Sequence, residues 1–196
     1  MSKKKIALII NILILVIEIF AFIRNIFVNH LIQAEYYTID SNMLALISSL
    51  LFIIFYKKDL KIVNDIRFIA TSCLTVTFLV VIFILAPMYN FNYKLLMFTD
   101  NFLLFHTICP ILSIISYIVF EERSNKNYLC LVFTAIYGTI LIILNLLNIV
   151  KGPYPFLMIK DQSLLATIIW YIILMGGSYI IGVGINFLNK KIKGAN

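Results

Sequence analysis

Charge is scarce in this sequence. Of its 196 residues only 13% are Asp, Glu, Lys or Arg, while 62% are hydrophobic. A soluble domain is about half apolar and about a quarter charged. One small core cannot hide so much apolar surface from water, so the composition excludes a water-solvated domain and makes lipid the solvent. Cysteines are few: Cys73, Cys109 and Cys130 lie far apart in or beside apolar runs. Their spacing excludes a zinc site and predicts no disulfide, leaving them as small buried hydrophobes. No G-x-S-x-G elbow of the soluble serine hydrolases is present. There is no low-complexity linker, internal repeat or long heptad tract. The chain therefore reads as one domain, 1–196, without coiled coil or inverted-repeat transporter architecture. The formal charge of +7 comes from short basic clusters between apolar runs, the pattern of cytoplasmic membrane loops and not of a nucleic-acid surface. After MSKKK the apolar run is too long for a signal peptide and no small-residue cleavage site follows, so it is expected to stay as a first span.

What is abundant is hydrocarbon in blocks of spanning length. A spanning helix needs ~20 mostly apolar residues, and six segments qualify, at about 6–28, 37–56, 68–88, 101–120, 128–150 and 163–188. The expected fold is all-α, a polytopic integral membrane protein with a six-helix transmembrane bundle. Twelve of the sixteen Lys and Arg fall at the termini and in the even-numbered gaps; Arg24, Lys94, Lys151 and Lys160 are on the other side. The positive-inside rule then puts both termini in the cytoplasm, in the plasma membrane.

The second span carries the least expected residues. Its unbroken apolar part, Met43 to Tyr56, is too short to cross, and counting back from Lys57 draws the stretch YYTIDSN, Tyr36 to Asn42, into its outer turns. Thr38, Asp40 and Ser41 are good helix N-caps, so this stretch reads either as a cap or as chemistry at the lipid edge. His106, within a span, has Pro110 four residues on; a proline cannot donate to that carbonyl, which opens the helix at the histidine. Asn11, Glu18 and Asn25 recur every seven residues and share a face of the first span. Asn145 and Asn148 share a face of the fifth. Ionisable groups inside a bilayer are costly and usually face the bundle interior. These faces are expected to line a polar cavity open to the outer surface, with Glu18 and the asparagines as interhelical glue. Tyr154, Pro155 and Phe156, in GPYPF, read as its rim or as an aromatic interface belt. The basic C-terminal NKKIKGAN reads as an anchor on anionic lipid.

The order of these motifs resembles a family. Thr38 in Y-T-x-x-S-N, His106 in LLFHTICP and the later Y-P-F resemble the androgen-induced family of multi-span membrane hydrolases and its bacterial six-helix relatives. The resemblance covers most of the chain. It implies a bacterial threonine hydrolase of lipid esters, such as fatty acid esters of hydroxy fatty acids. Thr38 would then be the nucleophile and His106 its base, with Asp40 or Asn42 orienting the imidazole or stabilising an oxyanion. It implies membrane lipid as the partner, a lipid ester as the substrate and no metal or organic cofactor. One count opposes it: at 1.5 Å per residue His106 lies about 6 Å deeper than Thr38, level with Asn42. Two other readings stand beside it. A proton-coupled carrier would use Glu18, Asp40 and His106 as a relay, but the inner halves of the spans offer mainly Ser and Thr. A non-catalytic module would bind lipid or a partner helix.

Overall fold

Where water is absent, backbone groups must bond to one another, and long runs of Ile, Leu, Val and Phe do so as helices. The computed structural model describes residues 2–30 and 33–194. In chain order its helices are α1 Lys3–Asn29, α2 Tyr37–Ile54, α3 Lys61–Met88, the short α4 Tyr93–Phe98, α5 Asp100–Phe120, α6 Leu129–Leu146 and α7 Leu164–Gly194. All but α4 are long and apolar enough to cross a membrane. No strand occurs among the described residues. The fold is an all-α six-helix bundle of membrane type, as its composition requires.

The most buried helix, α3, is the axis: α2 and α5 pack on one side of it, α6 and α7 on another, and α1 closes over α2 and α5. Large apolar side chains such as Ile172, Ile180 and Phe187 on α7 and Phe20 and Phe27 on α1 face outward, which suits a lipid solvent. Ion pairs between Lys4 and Asp59 and between Lys193 and Glu122 gather both chain ends and two connections at one end of the bundle. This is the terminal end. At the opposite end the Arg24–Asp100 pair joins α1 to the start of α5.

Helices α3 and α6 differ in their bounds from the sequence expectation, α7 runs on past residue 188 to Gly194, and one helix is additional. Helix α3 starts at Lys61, not near residue 68, and carries Asp65 and Arg67 into the bundle. Arg67 is fully buried. All five of its N–H groups find acceptors: Nε and Nη2 bond Glu121 at 2.9 and 3.0 Å, and Ser48, Ser49 and Ser113 take the rest. Glu121 also accepts from Asn11 at 2.9 Å and Ser116 at 2.6 Å. The terminal half therefore holds a paired buried charge, not merely Ser and Thr. A guanidinium this completely bonded can lie where a bare charge could not. Helix α6 ends at Leu146, so Asn148 lies beyond it, exposed and at φ 59°. And α4 was not anticipated: six residues is too short to register as a span.

The hydrogen-bond ladder widens by one residue over Val81–Leu85 and over Leu103–Ile108. Each of these two turns contains the residue four before a proline, Phe83 before Pro87 and His106 before Pro110; a third, Ser116–Phe120, has no such proline. A proline in a helix removes one donor and crowds that carbonyl, and a π turn accommodates both faults.

Candidate functional site

Tyr36, not Thr38, Asp40 or Ser41, is the N-cap of α2, and it makes no side-chain cap bond. YYTIDSN is therefore not a polar cap. Its polar residues lie inside the helix and most are used between helices. Ser41 Oγ bonds the Thr38 carbonyl at 3.1 Å and Thr77 Oγ1 of α3 at 2.9 Å. Asn42 is fully buried, and its Nδ2 donates to the Thr38 carbonyl at 2.7 Å and to the Phe105 carbonyl at 3.2 Å. That one amide ties the residue carrying the hydroxyl to the residue before the imidazole.

Thr38 Oγ1 lies 3.2 Å from His106 Nε2. The depth difference counted along the helices is thus closed. A helical side chain leans toward its helix's N-terminus, which for α5 is the end where Thr38 stands, and the long imidazole spans the rest. The other ring nitrogen, Nδ1, is 2.6 Å from the Leu96 carbonyl at the end of α4. A carbonyl only accepts, so Nδ1 carries the proton, Nε2 is the bare nitrogen of the neutral ring, and the Thr38 hydroxyl donates to it. The ring is 5% exposed and stacks on Phe102, with centroids 5.0 Å apart and planes at 10°. Thr107 Oγ1 bonds the Met97 carbonyl at 2.8 Å. Two consecutive carbonyls in the last turn of α4 thus grip α5.

Beside this pair lies a cavity between α3, α6 and α7, with about 680 Å³ of atom-free space, its open mouth included. Thr38 is on its wall. Its lining is mostly apolar, with Val76, Val80, Leu85, Leu174 and Met175, and not the polar chamber that the sequence suggested. That apolar character suits hydrocarbon as the occupant. Tyr154 and Phe156 turn inward, buried and stacked at 5.2 Å, and line it; Pro155 between them is exposed. Tyr154 and Phe156 are therefore part of the cavity wall and not an interface belt.

The other expected site residues are not gathered here. Asp40 is half-buried in the first turn of α2, where the helix dipole favours a negative charge. The imidazole is oriented by Leu96 and not by Asp40 or Asn42. Asn11, Glu18 and Asn25 all face inward from α1 as their spacing predicts, but Asn11 joins the Arg67–Glu121 cluster. Glu18 lies beside the Cys109 thiol of α5, and its carboxyl oxygens meet no other polar partner. Asn145 donates to the Val150 carbonyl at 3.2 Å and Asn148 accepts from Lys160, so both brace the segment leading to α7. Cys73, Cys109 and Cys130 are free and buried, and no group of three potential metal ligands occurs among the described residues.

Sequence reasoning could not see the Leu96 carbonyl, because a backbone acceptor carries no residue signature. Arg67 and Glu121 were visible but assigned to loops; the signal was Asp65 and Arg67 abutting an apolar run within helical reach. The fold and site define a six-helix membrane-type bundle with a part-buried hydroxyl–imidazole pair on the edge of an apolar cavity. Comparison of the chain with protein-family models, with curated proteins and with solved structures finds no match.

Proposed function

We propose that the protein is a membrane-embedded threonine hydrolase that cleaves lipid esters, of the kind acted on by the androgen-induced family its motifs resemble. One observation carries this reading: Thr38 Oγ1 is 3.2 Å from a histidine nitrogen whose partner nitrogen is fixed on a carbonyl. A threonine hydroxyl is a weak nucleophile until a base takes its proton. Nε2 of His106 is the base, and the Leu96 carbonyl orients the ring and favours the imidazolium that forms, because a helix's last carbonyls carry partial negative charge. The acyl chain of the ester occupies the apolar cavity, with its carbonyl at Thr38. Water then releases the acyl group from Thr38, again with His106 as base. The residues assigned to this chemistry need no metal or organic cofactor.

The Lys and Arg asymmetry supports a plasma-membrane protein with both termini cytoplasmic and the site in the outer half. Membrane-impermeant maleimide on intact cells reads this directly. Cysteine replacing Lys151 should label and cysteine replacing Lys58 should not, the native cysteines being buried.

The carrier reading finds less support. Neither Glu18 nor Asp40 bonds to His106, whose ring partners are Thr38 and Leu96, so no relay connects the three. Lipid binding without turnover is separated by experiment. Purified protein in nanodiscs is given branched hydroxy-fatty-acid esters and simple acyl esters. Wild type should release fatty acid, and Thr38→Ala and His106→Ala should each lose about 10²–10⁴-fold while remaining folded. Tight ester binding with no product from wild type would replace this reading with a lipid-binding module.

A further inference from the structure

The hydroxyl of Tyr154 faces the same backbone as the proposed nucleophile. Its oxygen accepts the Thr38 amide N–H at 3.5 Å. The Tyr37 amide and the Thr38 side chain also lie close to its oxygen. These amides are at the start of α2, where the first N–H groups have no acceptor within the helix. A phenol oxygen that accepts from them still has its own proton to give. Burial pushes the Tyr154 phenol up to about 12, so it is a neutral donor throughout the physiological range.

The ring is held rigidly. It is 8% exposed, stacks on Phe156 with planes at 10°, and meets the edge of Tyr36 at 6.0 Å. The segment carrying it is fixed by Gly152. A Cβ there would stand 2.1 Å from the Leu157 carbonyl oxygen, so only glycine permits the close approach that folds Tyr154 down onto α2. Tyr154 and Thr38 line the same cavity.

We propose that Tyr154 is the oxyanion donor of this hydrolase, a catalytic residue whose O–H donates to the ester carbonyl oxygen while the Thr38 N–H holds the phenol oxygen in place. With the Thr38 N–H spent on the phenol oxygen, the phenol O–H is the donor left to meet a carbonyl oxygen at about 2.7–3.1 Å. In the step it serves, Thr38 Oγ bonds to the carbonyl carbon and gives its proton to His106 Nε2. The carbonyl π pair moves onto oxygen, which accepts from the Tyr154 O–H. The tetrahedral centre then collapses, the C–O bond to the alcohol breaks, and the leaving alkoxide takes the proton from His106. Hydrolysis of the acyl-threonine repeats the sequence with water in place of the alcohol.

This inference rests on the hydrolase reading, and one set of measurements separates them. Ester turnover in nanodiscs is followed for wild type, Thr38→Ala and Tyr154→Phe, with thermal unfolding of each. Tyr154→Phe keeps the ring stack and removes only the hydroxyl. Its kcat should fall about 10²–10³-fold with KM nearly unchanged, and its unfolding midpoint should stay near wild type. Wild-type kcat in Tyr154→Phe, with Thr38→Ala inactive, would overturn the oxyanion role and leave the hydrolase intact. A raised KM with unchanged kcat would also overturn it, since that marks ordinary binding. Full turnover by Thr38→Ala would remove both proposals. If Tyr154→Phe unfolds early, kcat is read well below its unfolding midpoint, where the protein is folded: the same loss is expected there, and wild-type kcat again counts against the role.

Discussion

Arg67 and Glu121 meet in a two-pronged ion pair, 2.9 and 3.0 Å, with both side chains almost wholly out of solvent. Four helices supply its surroundings: Asn11 from α1, Ser48 and Ser49 from α2, Arg67 from α3, and Ser113 and Ser116 from α5. The chain bends at Glu121, and Asn189 of α7 caps that bend by donating to the Tyr117 and Glu121 carbonyls at 2.6 and 3.0 Å. The polar groups of this half are used by one another. At the opposite half Thr38 and Tyr154 instead line an open cavity. The first arrangement is a clamp; the second leaves reactive groups within reach of a ligand.

The clamp makes a stability prediction. Arg67→Met leaves the Glu121 carboxylate buried without its counter-charge, and such a loss costs about 3–5 kcal/mol. Thermal unfolding in detergent or nanodiscs should show a large drop for Arg67→Met. The double variant Arg67→Met/Glu121→Gln, which removes both charges, should regain much of it. An Arg67→Met protein as stable as wild type would mean that the pair is dispensable to the bundle.

The bundle was legible from the sequence because lipid demands long apolar runs, and six runs of spanning length admit little else. The inward face of α1 was legible for the same physical reason: Asn11, Glu18 and Asn25 repeat every seven residues, and all three are buried. Their partners were not legible. Asn11 reaches Glu121, 110 positions away, and no local pattern announces such a contact. Thr38 and His106 stood out as polar residues in hydrocarbon, yet counting rise per residue set them apart. Side-chain length and lean, invisible in a linear count, bring them to 3.2 Å. Asn148 shows the opposite failure. Its spacing from Asn145 suits a helix face, but the chain has left the helix at Leu146 and turns through φ 59° at Asn148.

Glycines on α7 separate packing from exposure. A Cβ on Gly182 would stand 2.5 Å from Cys130 Sγ and 3.2 Å from the Phe68 ring, whereas one on Gly184 meets nothing within 4 Å. Helices α6 and α7 therefore touch through Gly182, the close approach by which small residues hold membrane helices together. Gly182→Ala should cost about 1–3 kcal/mol by overpacking, and Gly184→Ala should stay within about 0.5 kcal/mol of wild type. Paired unfolding curves decide it, and equal effects at the two positions would show that α7 does not dock through Gly182.

The cavity predicts its own selectivity under the hydrolase reading. Gly138 lines it, and a Cβ there would meet only the Tyr171 ring at 3.4 Å and Met175 at 4.0 Å. Alanine is therefore tolerated, while leucine projects into the space assigned to the acyl chain. Each methylene withdrawn from apolar contact is worth ~0.8 kcal/mol, or about fourfold in binding. Gly138→Leu should thus lower kcat/KM for long-chain esters by about fourfold per methylene displaced, and leave short-chain esters near the wild-type rate. Thr38 and His106 are untouched by this substitution, so the chemical step is preserved and only chain length is read. A uniform loss across chain lengths would point to disturbed packing. A preserved long-chain preference would place the acyl chain elsewhere than between α3, α6 and α7.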